Sequence, residues 1–97
     1  MTQTIWKQTV EPELRQRILL PRGSSVISCE AQGEKLNLWY LVRDKEAEKV
    51  PVDLFVIPTG LLFENPNPAT FIGTVRVIHD LVFHIFVYYT TGYADHA

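Results

Sequence analysis

The sequence lacks the short motifs that mark most enzymes and metal proteins. It contains one cysteine, Cys29, so no disulfide can form within the chain and no Cys-x-x-Cys pair is present. It also has no Gly-x-Ser-x-Gly nucleophile elbow and no Gly-x-x-x-x-Gly-Lys phosphate-binding loop. We therefore predict that the protein is not an enzyme and uses no cofactor.

Long apolar runs and a surplus of one charge are missing too. The uncharged stretch 81–94 is shorter than the roughly 20 apolar residues that span a bilayer. Nine basic and 11 acidic residues leave a net charge of −2, which argues against general nucleic-acid binding. No signal peptide is visible, and a single cysteine suits a reducing compartment. We expect a cytoplasmic protein that does not contact membranes.

The 97 residues, 46% of them hydrophobic, are enough for one small core and too few for two. We predict one domain over residues 1–97. Apolar residues alternate with other residues along most of the chain, which is the two-residue repeat of β-strands. The predicted strands are 4–10, 15–20, 27–32, 35–42, 50–57, 71–77 and 81–89. The fold class is all-β, a single small antiparallel β-sandwich or barrel of about seven short strands.

The segments between these strands carry turn signals. The charged segment 43–49 is interpreted as a solvated hairpin loop, and residues 78–80 are short enough for another hairpin. The Asn-Pro-Asn-Pro sequence at 65–68 predicts an irregular loop. Pro51 lacks an N–H donor and is expected at a strand start or on an edge strand.

Two residues that could serve a function, a cysteine and a tryptophan, are better interpreted as packing residues. Cys29 is predicted to be a small buried hydrophobe and Trp39 a core residue rather than a ligand platform. The last predicted strand has apolar side chains on both faces. Because one chain of this size covers both faces poorly, we expect a homo-oligomer.

One group of residues has metal-ligand chemistry, namely His79, Asp80 and His84. The two histidines are five residues apart, so on one strand they would point to opposite faces. We therefore predict no metal site.

Six short motifs follow one another along the chain: Ile5-Trp6-Lys7, Leu19-Leu20-Pro21-Arg22-Gly23-Ser24, Leu38-Trp39-Tyr40-Leu41-Val42, Thr59-Gly60, Phe71-Ile72-Gly73-Thr74 and Leu81-Val82-Phe83-His84-Ile85-Phe86. In this order they resemble a widespread family of small uncharacterised proteins encoded by tailed phages and prophages. The sequence departs from the pattern after Thr59-Gly60, where the family commonly has His-Pro and this chain has Leu61-Leu62.

The resemblance implies a phage protein in the host bacterial cytoplasm that counters host immunity. The first hypothesis is an oligomeric sponge that sequesters a nucleotide immune signal, either a cyclic oligonucleotide or an ADP-ribose derivative. The alternatives are an inhibitor that docks on a host defence protein such as a CRISPR effector, with segments 43–49 and 61–63 as its surface, and an accessory structural phage protein.

For the sponge, the residues chosen are those that recognise a small anionic nucleotide. An indole stacks on a base, and cationic side chains pair with phosphate oxygens. Hydroxyls and glycine amides supply close hydrogen bonds, and a histidine donates to a phosphate or a base edge. The predicted ligand-binding residues are Trp6, Lys7, Thr59, Gly60, Arg76 and His84.

Overall fold

The computed structural model describes residues 2–64, 69–77 and 80–90, and seven antiparallel strands lie within them. Numbered in chain order, they are β1 (Thr4–Val10), β2 (Arg15–Pro21), β3 (Ser25–Gln32), β4 (Lys35–Val42), β5 (Lys49–Pro58), β6 (Thr70–Arg76) and β7 (Val82–Tyr89). The all-β prediction is confirmed, and the observed strand ends differ from the predicted ones by two residues at most. Within the described ranges no helix is long and apolar enough to cross a membrane.

The strands form two sheets, one with the order β1-β4-β3 and the other with the order β2-β5-β7-β6. Each sheet turns alternate side chains inward, and one hydrophobic cluster joins the two inner faces. The cluster includes Leu38 and Val42 from β4, Leu54 from β5, and Ile85 and Val87 from β7, all at most 1% exposed. Of the two predicted architectures, the sandwich is the one observed.

Strand β7, predicted to have two apolar faces, lies between two neighbours, and so does β4. In β4 the inward side chains include Leu38 and Tyr40, whereas Trp39 is partly exposed. Because neighbouring strand residues point to opposite faces, Trp39 lies on the outer face of the three-stranded sheet. The prediction that Trp39 belongs to the core was therefore wrong.

Strand β3 departs from simple alternation at Ile27. The register against β4 shifts between Val26 and Ser28, which is the signature of a β-bulge. Val26 is 7% exposed and Ile27 is 49% exposed, so the extra residue turns Ile27 outward. Cys29 then faces the core again, where burial raises the pKa of its thiol. The structural interpretation of Cys29 fits this partly buried position.

The charged segment 43–49 is a loop, as predicted, but it is not a hairpin. Strand β4 already pairs with β1 and β3, so the chain must cross to the other sheet before β5 begins. The crossing runs beside the β2–β3 turn, where Arg22 Nη2 lies 2.6 Å from Glu48 Oε1. Arg43 donates to the Ser25 hydroxyl at 3.0 Å and to the Gly23 carbonyl.

The proline and hairpin predictions can be compared with the sheet register. Pro51 pairs with Leu19 of β2, and the pairing with β7 begins only at Val52. The missing N–H of Pro51 therefore falls near the strand start, as expected. Strands β6 and β7 form the predicted hairpin. The prediction of an irregular loop at 65–68 concerns residues that lie outside the described ranges.

Candidate functional site

His84 lies at the centre of the most distinctive polar arrangement on the outer face of the four-stranded sheet. Strand β7 places it between Ile57 of β5 and Thr74 of β6, which are its register partners. Its neighbour Ile85 is 1% exposed in the core, so alternation directs the His84 ring outward. The side chain is partly exposed.

Each ring nitrogen of His84 lies within hydrogen-bond distance of a threonine hydroxyl. Thr59 Oγ1 is 2.8 Å from Nε2, and Thr74 Oγ1 is 3.0 Å from Nδ1. A neutral imidazole has one N–H donor and one acceptor nitrogen. When the ring is neutral, one hydroxyl accepts from it while the other donates to it, and the two contacts fix the orientation of the ring.

The turn after β5 positions Thr59. The Thr59 amide donates to the Val82 carbonyl at 3.1 Å, and the Leu61 amide donates to the Pro58 carbonyl at 3.2 Å. Gly60 has a φ of +92°, a conformation that L side chains rarely adopt, so glycine is the residue this turn requires. The turn thereby holds the Thr59 hydroxyl beside the imidazole.

Three phenylalanine rings continue the same face. The Phe86 ring centroid lies 5.7 Å from that of Phe63 and 5.4 Å from that of Phe71. Phe63 is 42% exposed and Phe71 is 55% exposed, so both rings present area to a ligand. Together with the turn they line a depression of about 200 Å³, the histidine cleft. Its lining residues are Ile57, Pro58, Thr59, Gly60, Leu61, Phe63, Phe71, His84 and Phe86.

Arg76 lies on the same face, one outward position beyond Thr74 on β6, and pairs in register with Val82. Its side chain is 72% exposed, and Nη1 is 3.8 Å from the Asp80 carboxylate. An exposed pair at this distance contributes little to stability, which leaves the guanidinium free to turn toward an incoming anion.

Trp6 and Lys7 do not join the histidine cleft within one chain. Both lie on β1 of the other sheet, and alternation sends them to opposite faces. The Trp6 ring packs edge-on against Tyr40, with 6.3 Å between centroids, and lines a different groove of about 710 Å³ near residues 42–46. Lys7 is exposed opposite Trp39 on the outer face. Of the six predicted residues, the structure brings Thr59, Gly60 and His84 together, with Arg76 beside them.

The surface suggested for a docking inhibitor is divided by the fold. Segments 43–49 and 61–63 lie at opposite ends of β5, whose ten residues span about 30 Å. Within one chain they cannot form one contiguous contact. Segment 61–63 is exposed by itself, with Leu62 at 96%.

The metal prediction concerns residues that are only partly described, because His79 lies outside the described residues. Within the ranges 2–64, 69–77 and 80–90, no three His, Cys, Asp or Glu side chains are grouped to hold a metal ion. His84 is instead occupied by its two hydroxyl partners.

Sequence reasoning did not assign Thr74, Phe71 and Phe86 to any site, and it placed Phe63 in the docking surface 61–63 rather than beside His84. For Thr74 a signal was available, since a loop at 78–80 pairs Val77 with Leu81 and places Thr74 opposite His84. The contact of Phe63 with Phe86 had no comparable signal, because it depends on how the segment after β5 folds back over the sheet.

The chain is thus an all-β sandwich domain with a small polar and aromatic cleft on one outer face. It belongs to the family described as a domain of unknown function (DUF7352), whose model matches residues 1–94. The expected membership of an uncharacterised family is confirmed. No curated protein and no solved structure matches the chain.

Proposed function

We propose that the protein is a non-enzymatic, phage-encoded anti-defence protein that binds and sequesters a nucleotide immune signal. The phage context comes from the sequence resemblance described above. The ligand is a cyclic oligonucleotide or an ADP-ribose derivative in the host bacterial cytoplasm. Its site is the histidine cleft, extended by Arg76.

The observation that supports this proposal is the His84 imidazole held between two threonine hydroxyls beside exposed phenylalanine rings. Hydroxyls, a glycine turn and a nearby guanidinium suit a phosphate group. Exposed aromatic rings suit a base, which stacks on them without regard to its identity. Both parts of a nucleotide therefore find complementary chemistry on one sheet face.

Binding explains the cleft better than catalysis does. Thr59 and His84 are within hydrogen-bond distance, as a nucleophile and its base would be. However, the second ring nitrogen faces the Thr74 hydroxyl, whereas catalytic triads place a carboxylate there to stabilise the imidazolium. Without that charge, the threonine hydroxyl is a poor nucleophile and a good hydrogen-bonding group.

The proposed sponge is an oligomer, because the cleft of one chain is too small to enclose a nucleotide. The histidine cleft, at about 200 Å³, is below the roughly 300–1,000 Å³ of pockets that enclose a whole small ligand. The rest of a nucleotide must lie over the exposed rings or against a second subunit. Leu62 at 96% exposure and Phe71 at 55% offer apolar area for such a contact beside the cleft. Several sites per assembly also deplete a signal by mass action.

The test is native mass spectrometry of the protein alone and with cyclic dinucleotides, cyclic trinucleotides and cyclic ADP-ribose isomers. We expect an oligomer that retains one compound stoichiometrically. Thr59→Val, Phe71→Ala and Arg76→Ala should each lower retention at least tenfold, whereas Lys7→Ala on the other sheet should not change it. Retention of none of these compounds would overturn the proposal. Equal retention by Thr59→Val and Lys7→Ala would move the site away from the histidine cleft.

A second candidate function is inhibition of a host defence protein, and the exposure of segment 61–63 favours it. Three adjacent apolar residues at the surface, with Leu62 fully accessible, are suited to insertion into a partner's pocket. Leu62→Asp should then abolish capture of the partner while leaving nucleotide retention intact. Reversal of Glu46 to lysine, at the other end of β5, should have no effect on a partner held by Leu62.

A further inference from the structure

Protonation of the His84 ring changes whether the hydroxyls of Thr59 and Thr74 can donate a hydrogen bond to a ligand. In the neutral ring, the hydroxyl bonded to the N–H keeps its own hydrogen for a ligand. The hydroxyl that donates to the other nitrogen can offer a ligand only its oxygen lone pairs. The neutral arrangement therefore presents one donor and one acceptor to the histidine cleft.

A protonated ring donates from both nitrogens, so both hydroxyls must accept from it. The hydrogens of Thr59 and Thr74 are then both directed away from the ring. The arrangement now presents two donors and a positive charge. A phosphate or sulfate has several terminal oxygens and no donors when ionised, so it matches the protonated arrangement and opposes the neutral one.

We propose that His84, Thr59 and Thr74 form a proton-linked anion site, in which binding of a phosphodiester or sulfate group is coupled to protonation of the imidazole. The inference deepens the proposed function and rests on it for the identity of the natural ligand. The anion subsite itself rests on the two observed contacts, at 2.8 and 3.0 Å.

Few other charged groups of the described residues lie near the ring. On β6 and the hairpin, Arg76 is paired with Asp80. The segment after β5 contributes Glu64, which is exposed, and β5 itself places the uncharged Ile57 beside the ring. Arg76 keeps its charge at every pH of interest, so it raises anion affinity without making that affinity depend on pH near neutrality.

The test uses sulfate as the probe, because sulfate does not change its charge between pH 5.5 and 7.5. Chemical-shift titrations of the folded protein would be run at constant ionic strength, with chloride as the background anion. Sulfate affinity should be about tenfold higher at pH 5.5 than at pH 7.5, because protonation of the imidazole turns both hydroxyl hydrogens toward the anion. Sulfate should also move the midpoint of the His84 ring titration to higher pH, as reciprocal linkage requires.

Matched variants separate this mechanism from general attraction to a more cationic protein. Thr74→Val keeps the side-chain shape and removes the hydroxyl, so the pH dependence should fall to twofold or less, and Thr74→Ser should restore it. His84→Gln should give a flat profile. Arg76→Ala should weaken sulfate at both pH values by the same factor.

The outcomes also distinguish this inference from the proposed function. A nucleotide of the panel that binds equally at pH 5.5 and 7.5 would overturn the proton linkage and leave the sponge function standing. Sulfate binding with the expected pH dependence, without retention of any nucleotide, would establish the anion site and overturn the sponge. An unchanged sulfate profile in Thr74→Val would overturn the linkage whatever the nucleotide result.

Discussion

The outer face of each sheet carries a network of polar side chains, and the two networks differ in whether a ligand can reach them. On the three-stranded sheet, the Thr9 hydroxyl donates to Asn37 Oδ1 at 2.7 Å and Asn37 Nδ2 donates to Gln32 Oε1 at 2.5 Å. Asn37 is only 2% exposed, so this network is closed to ligands. On the four-stranded sheet, the hydroxyl–imidazole–hydroxyl arrangement of His84 borders an open cleft.

The difference arises from what covers each face. Asn37 is buried and bonds to Thr9 and Gln32 of its own sheet, so its hydrogen bonds end within the protein. His84 lies beside the turn and segment that follow β5, and these create a cleft rather than a cover. A polar network buried at one face stabilises the fold. A similar network at the edge of a cleft can exchange its hydrogen bonds with a ligand.

Both outer faces depend on the same hydrophobic core, so a core substitution should have the largest effect on stability. Leu54, which is 0% exposed, packs between the sheets, so Leu54→Ala should lower the free energy of unfolding by about 2–5 kcal/mol. Both outer faces should be lost in a single denaturant transition. Leu62→Ala, at a side chain that is 96% exposed, is the matched control and should change stability little. Two separate transitions would show that the sheets do not share one core.

The closed network should matter for stability and not for ligand binding. Asn37→Ala removes two hydrogen bonds from a buried site and should cost about 1–3 kcal/mol in chemical denaturation. Thr9→Val removes only one of the bonds and should cost less. Retention of any ligand by folded Asn37→Ala protein should equal that of the wild type. A loss of ligand with unchanged stability would reverse the roles of the two faces.

A substitution where β6 of one sheet meets β3 of the other should have a smaller effect on stability. A Cβ on residue 73 of β6 would lie 3.0 Å from Cys29 Sγ on β3, which is tighter than ordinary contact. Gly73→Ala should therefore destabilise the fold, and Cys29→Ala in the same chain should relieve the crowding. A double-mutant cycle should give a favourable coupling of about 0.5–1 kcal/mol. Additive effects would show that the two strands do not meet at this point.

Alkaline pH should have the smallest effect on the free energy of unfolding. It ionises groups packed against the core rather than groups on the outer faces. Burial raises the pKa of Cys29, Tyr40 and Tyr89 above their ordinary values of 9.0, 10.0 and 10.0. Because the unfolded chain ionises first, this stabilisation is complete below pH 9 and declines as the pH rises through the folded-state values. Urea midpoints should therefore fall above pH 9, and less so in Cys29→Ala. A midpoint that rises with pH would contradict these pKa directions.

Much of the strand pattern, and part of the site, was predictable because it depends on local periodicity. Alternation located all seven strands, and a predicted hairpin with its loop at 78–80 is enough to place Thr74 opposite His84, as observed. The bulge at Ile27 was not predictable, since Val26 and Ile27 are both apolar and only packing decides which of them turns inward. The route of segment 43–49 was equally hidden. Its charges predict a loop, whereas the two neighbours already paired with β4 decide where that loop leads.

The sequence by itself determined an all-β domain, the β6–β7 hairpin and the chemistry available to the chain, because these follow from side-chain type, a period of two and a short connection. Only the tertiary structure decided which of the six candidate residues meet. Trp6 and Lys7 diverge because they are adjacent on one strand of the other sheet. Thr74 meets His84 through the pairing of consecutive strands, β6 and β7. Thr59 meets His84 because β5 lies beside β7, an arrangement that depends on long-range burial rather than local pattern.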